Sequence, residues 1–289
     1  MTTKPSAPAT PSDPFDSDLN SPETSQRRAG PTFPLVQWVN GNETHDPDES
    51  PRTKFLYSGG FFIPQRSVGN RHLPETTWKP IKIKFRQNLD EGFCAASLKV
   101  AVILTRFRWE LFHKQTKTTT YFQRAAYDGL RALKDQGPYT LRGNIHALVS
   151  VPGLAEPLVL TFSGTPSRAF ERLLKDWDDK VIAAAQKCST RPEPIQPYAF
   201  YMAIQAGAHQ PAKEGESATV TLPSQKLPDT CDLNWLMARY VGREARSTYI
   251  EWFKANQEWA HAWDSLPGAN GNGNGAGPEE PPDEDEPSF

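Results

Sequence analysis

Between Ile81 and Arg86 the chain reads IKIKFR, apolar and basic in strict alternation. Successive side chains of a strand point to opposite faces, so Ile81, Ile83 and Phe85 share one face and Lys82, Lys84 and Arg86 the other. The next segment, SLKVAVILTRFRWELF, holds an apolar run from Val100 to Leu104 and then alternates again, with Arg106 and Arg108 opposite Phe107, Trp109 and Leu111. This pattern predicts a strand buried at its start and exposed at its end, with a bulge near Thr105. GNIHALVSV and PLVLTFSG predict a hairpin turning at Pro152 and Gly153. Thr165 and Pro166 open a helix of about 20 residues, on which Phe170, Leu173, Leu174, Trp177 and Val181 recur at helical spacing. YAFYMAIQA and SATVTL add strands, and the segment from LNWLMARY to EWAHAW closes as one or two helices divided at Gly242. Many strands without βαβ alternation predict a mainly β (α+β) fold, a curved antiparallel sheet or OB-like β-barrel with added helices, rather than a doubly wound sheet.

The pattern fails at both ends. Residues 1–30 are dominated by Pro, Ser, Thr and Asp and have almost nothing to fill a core; 267–289 run from Gly and Asn into Pro and acid. Hydrophobic residues make up 37% of the chain, low for a fully folded protein. A disordered N-terminal segment (1–30), a β-rich domain with C-terminal helices (31–266), and a flexible linker with an acidic tip (267–289) are therefore expected.

Charge changes the picture. The formal net charge is -2, but residues 1–26 and the stretch from Pro278 hold ten acids against Lys4, and the remainder carries 31 Lys and Arg against 24 acids. From Arg52 to Arg124 there are fourteen Lys and Arg, four acids and twelve aromatic residues. Cations that track phosphates, mixed with rings that stack on bases of any identity, are what single-stranded nucleic acid calls for; each stacked base contributes ~1 to 3 kcal/mol. The candidate nucleic-acid-binding residues are Trp78, Lys82, Lys84, Arg86, Lys99, Arg106, Phe107, Arg108, Trp109 and Tyr121. The alternative is that most of the rings fill the core and that Lys82, Lys84 and Arg86 form a solvated or edge-protecting face.

Other features carry little chemistry. Tyr249, Trp252, Phe253, Trp259 and Trp263 recur at helical spacing and read as core or as an interface between copies of the chain. Asp176, Asp178 and Asp179 read as a solvated helix surface, and no metal or cofactor is assigned. Cys94, Cys188 and Cys231 lie far apart and read as reduced core residues. The six histidines show no close pairing, and no nucleophile elbow, phosphate loop or HExxH occurs, so an enzyme is not expected. No apolar stretch approaches the ~18 residues of a membrane span or resembles a signal peptide, which points to the cytoplasm.

The chain ends in the linker GANGNGNGAG and then PPDEDEPSF. A tail serving solubility needs the acids but gains nothing from an aromatic final residue. This end resembles that of bacterial and phage single-stranded DNA-binding proteins, in which a flexible linker leads to an acidic tip closed by phenylalanine. The resemblance implies that Asp283, Glu284, Asp285, Glu286, Pro287 and Phe289 bind replication or repair proteins, whose basic pockets take the acids and whose apolar floor takes the ring. The combined expectation is a non-enzymatic protein that protects single strands in replication or recombination. Its alternatives are an interaction factor that binds no nucleic acid, and a nuclease with scattered carboxylates.

Overall fold

The computed structural model describes residues 33–44, 55–57, 59–69, 71–85, 88–135, 137–190, 193–211 and 219–268. Among them lie twelve strands: β1 (Leu35–Val39), β2 (Asn42–Thr44), β3 (Phe55–Tyr57), β4 (Gly60–Pro64), β5 (Lys79–Phe85), β6 (Asn88–Ala95), β7 (Ser97–His113), β8 (Thr118–Gln123), β9 (Tyr139–Ser150), β10 (Leu158–Ser163), β11 (Met202–Pro211) and β12 (Thr219–Ser224). β2 and β3 pair with each other; the other ten form one sheet in the order β12-β11-β7-β9-β10-β1-β4-β6-β5, with β8 beside the far end of β7. Its neighbours are antiparallel except β1 and β10, which run parallel. The sheet is therefore mixed, and of the two expected architectures it is the curved open sheet, not the closed barrel.

Its curl brings β12 back to the end of β1. The Trp38 indole N–H donates to the Thr221 carbonyl at 2.8 Å, the Gly41 amide to Thr221 Oγ1 at 2.8 Å, and the Thr221 amide to Asn40 Oδ1 at 3.2 Å. Beside this seam the backbone is crowded. Gly60 sits at φ +130°, and a Cβ there would lie 2.5 Å from the Ala95 carbonyl oxygen. Gly60→Ala should therefore cost more than about 1 kcal/mol of stability, read as a lower denaturation midpoint at unchanged slope.

The long strand β7 bulges, as its two apolar patterns predict, but earlier than Thr105. Val102 faces Val149 and Leu104 faces Leu148, so Ile103 is the extra residue. One added residue inverts the alternation beyond it. Leu98, Val100 and Val102 face the largest core cluster before the bulge, and Phe107 joins that side after it. Ala101, Ile103 and Leu104 belong to a second cluster on the opposite face. Lys99 thereby shares a face with Arg106 and Arg108, which sequence spacing alone would place on the other side.

A helical rod covers the larger core. α3 (Thr165–Trp177) passes through a π-helical turn (Asp178–Ile182) into α4 (Ala183–Cys188), and Phe170, Trp177, Val181 and Ala185 are buried against the sheet. Burying side chains the size of Phe170 and Val181 contributes roughly 1.5 to 3 kcal/mol each, which holds the rod in place. α1 (Gln65–Val68) is a single turn, and α2 (Tyr127–Asp135) buries Leu130 against Trp109 and Leu111. α5 (Leu233–Met237) packs beside the rod, with Leu236 buried in the larger core and the Trp235 ring 6.2 Å from Trp177; on the opposite face lie α6 (Arg243–Ala255) and α7 (Gln257–His261). As expected, Gly242 separates α5 from α6, at φ +91°. Tyr249 of α6 is buried in the second cluster with Trp252, Phe253 and Trp259 around it, so this stripe is core. Cys94 and Cys231 are buried as expected, whereas Cys188 is exposed, because α4 ends there and turns its last residue outward.

Among the described residues, no helix is long and apolar enough to cross a membrane. The expected unstructured segments, 1–30 and nearly all of 267–289, lie outside the described residues.

Candidate nucleic-acid interface

The candidate residues divide according to which face of the sheet they occupy. Trp78 is 1% exposed within the largest core cluster. Trp109 is also buried; its indole N–H donates to the Arg124 carbonyl at 3.0 Å and its ring stacks on Tyr127 at 4.8 Å. Phe107 is half-buried, edge-on to Trp109 at 4.9 Å and under the Arg124 guanidinium at 5.2 Å. A ring enclosed on both faces has none to offer a base. The stacking role expected of Trp78 and Trp109 is therefore corrected to core packing: Trp78 is enclosed by a cluster drawn from the whole sheet, and Trp109 by the turn and helix that follow β8.

The cations are arranged differently. Lys82 is exposed and pairs across strands with Glu91 at 3.0 Å. Lys84 stands one alternation further along β5, and Arg86 lies outside the described residues, as do Asp283, Glu284, Asp285, Glu286, Pro287 and Phe289. Lys99 is exposed, its ammonium 5.0 Å from the Tyr201 ring centre. Arg106 lies 4.5 Å from the Trp259 ring and 4.0 Å from Trp263, with Nη2 3.3 Å from His146 Nδ1. Arg108 lies 3.9 Å from Tyr121 and 4.5 Å from Trp263, and reaches Glu110 at 3.6 Å. Only 3% of Arg108 is exposed, so the expectation that it stands open to phosphate is corrected too.

Trp263 explains that burial. Its ring wedges between Arg106 and Arg108 and meets His146 edge-on at 4.6 Å. It is itself 2% exposed, and the segment that carries it is pinned where the Gln123 amide donates to the Pro267 carbonyl at 3.3 Å. The chain's own C-terminal segment thus lays rings on two of the arginines expected to track phosphates. Guanidinium over indole is worth ~0.5 to 2 kcal/mol, more where water is excluded. Trp259 and Trp263 were legible as an apolar stripe; what they cover was not.

Beneath α7 the sheet forks. β11 pairs with β7 only from Ser97 to Val100, and β8 only from Arg108 to His113. A cavity of about 480 Å³ opens at the fork, walled by Ile103, Phe107, Leu174 and Met202 and reached by Arg106 and Asp178. Partial burial, then the neighbouring Asp179, raises the Asp178 carboxyl above its ordinary range. The Arg124–Glu171 ion pair and the His261–Asp264 hydrogen bond, 2.8 Å from Nδ1 to the carboxylate, also line it. Among the described residues no three His, Cys, Asp or Glu side chains gather to hold a metal ion.

No family model, curated protein or solved structure matches the chain.

Proposed function

We propose that the chain is a non-enzymatic single-stranded DNA-binding protein that takes the strand along the cationic face of β7, with its own C-terminal segment as an internal competitor. The observation that carries this reading is the row of cations on aromatic faces. Lys99 over Tyr201, Arg106 over Trp259 and Trp263, and Arg108 over Tyr121 and Trp263 share one face of one strand. At ~3.3 Å per residue, Lys99 and Arg108 stand roughly 30 Å apart, long enough to follow several nucleotides of an extended strand. Rings already resting on guanidinium groups stand in for bases, and a strand that brings its own bases and phosphates replaces both the rings and the acids of the tail. Replication or repair proteins that read the acidic tip are the expected partners.

Fluorescence titration with oligo-dT and with duplex, each with and without magnesium, tests the proposal. Single strand should bind in preference to duplex, without cleavage. If four to six phosphates are neutralised, the log–log salt slope should be about -3 to -4, a fall of roughly two decades between 50 and 200 mM salt. Equal affinity for both forms would defeat the reading. Cleavage in magnesium would make the chain a nuclease, and no binding would leave an interaction factor.

A further inference from the structure

Along the fork, the edge of β7 from Ala101 to Phe107 has no strand beside it among the described residues. Its other edge is laddered to β9, so alternate amides and carbonyls of this stretch point at the cavity. Trp177 adds a further donor: it lines the cavity, is 2% exposed, and its indole N–H has no partner among the described residues. The following residue, Asp178, lines the cavity as well and opens the π-helical turn. Such turns recur where a helix serves a site rather than only a core. Apolar walls with a few convergent polar groups, in a space within the ~300 to 1,000 Å³ of small-ligand sites, suit a flat heterocycle bearing donors and acceptors on its rim.

We propose that this cavity receives one nucleobase turned out of the bound strand. The inference rests on the single-strand reading above, and its position fits that reading, since the fork lies between Lys99 and Arg108 on the strand that tracks the phosphates. The indole N–H donates to a ring nitrogen or carbonyl of the base. The Asp178 carboxylate accepts from an exocyclic amine, which favours adenine, cytosine or guanine over thymine. A single strand gives up little stacking to release one base, unlike a duplex. A bare strand edge also invites an added peptide strand. Here Pro197, Ala260 and His261 line the space beside the edge, and a half-open cavity of this size suits a ring better than a β-strand.

The probe is a thymine oligonucleotide with one central 2-aminopurine, with free 2-aminopurine riboside as a second arm, both titrated into the full chain. The wild type should quench the fluorescence of the bound probe. Leu174→Trp, which fills the cavity, should abolish the quenching and weaken the oligonucleotide about tenfold without lowering Tm. Trp177→Phe, which keeps a ring but removes the N–H, should weaken quenching severalfold and guards against a filled variant that misfolds. Quenching and affinity unchanged in both variants would overturn the cavity assignment and leave strand binding intact. A riboside signal lost in Leu174→Trp, with no oligonucleotide binding, would support the cavity and overturn the strand reading. No response from either probe would overturn both.

Discussion

Replacing Trp78 with alanine should lower the unfolding free energy by about 3 to 5 kcal/mol and leave the affinity of the folded protein for oligo-dT unchanged. Flanking bases make Trp78 resemble a stacking residue, yet the ring is 1% exposed in the core cluster that holds Trp38, Phe61 and Phe162. Truncation there removes a large apolar surface and leaves a void that a sheet fixed by its ladders fills only in part. Urea denaturation followed by tryptophan fluorescence reads the loss, and titration well below the new midpoint reads the affinity. A variant of native stability that binds poorly would restore Trp78 to the interface.

Deleting residues 269–289 should tighten single-strand binding about tenfold or more at low ionic strength, with the gain shrinking as salt rises. The deletion removes Glu279, Glu280, Asp283, Glu284, Asp285 and Glu286 from a chain pinned at Pro267 to Gln123 of β8, the strand that carries Tyr121 and pairs with Arg108 of β7. A random coil of ten Gly- and Asn-rich residues would have an r.m.s. reach of ~17 Å, enough for the acids to return to that face. Competition among exposed charges extends over about a Debye length, ~30 Å at 0.01 M and ~8 Å at physiological salt, which sets the salt dependence. Removing Phe289 alone takes away no side-chain charge; it should leave the affinity unchanged and abolish capture of replication or repair proteins. An affinity indifferent to the deletion at every salt would sever the tail from DNA binding.

Local pattern found the elements and missed the enclosures. The alternation of β5 and the helical spacing from Phe170 to Val181 were legible because burial there is decided by a nearest neighbour on one face. The parity of Lys99 was not, because it depends on one bulged residue, Ile103, inside an unbroken apolar run where no polar position marks the shift. Nor was the burial of Arg108, since the ring that covers it, Trp263, arrives from more than 150 positions away. The parallel union of β1 and β10 has no local signature either, as both strands read the same whichever way they run.

That union and the Trp38–Thr221 hydrogen bond also set a timetable for synthesis. β1 cannot dock until β10 exists, and its indole waits for a carbonyl 183 positions later. At ~5 to 20 residues per second, translation leaves this donor without its native acceptor for roughly 10 to 40 s. Until β10 is made, Trp38, Phe61 and Phe62 belong to a nascent sheet edge lacking that neighbour, a surface for holdase chaperones or for a second nascent chain. Slowed elongation between β4 and β10 should therefore lower the soluble yield of the chain, whereas slowing after Thr221 should not.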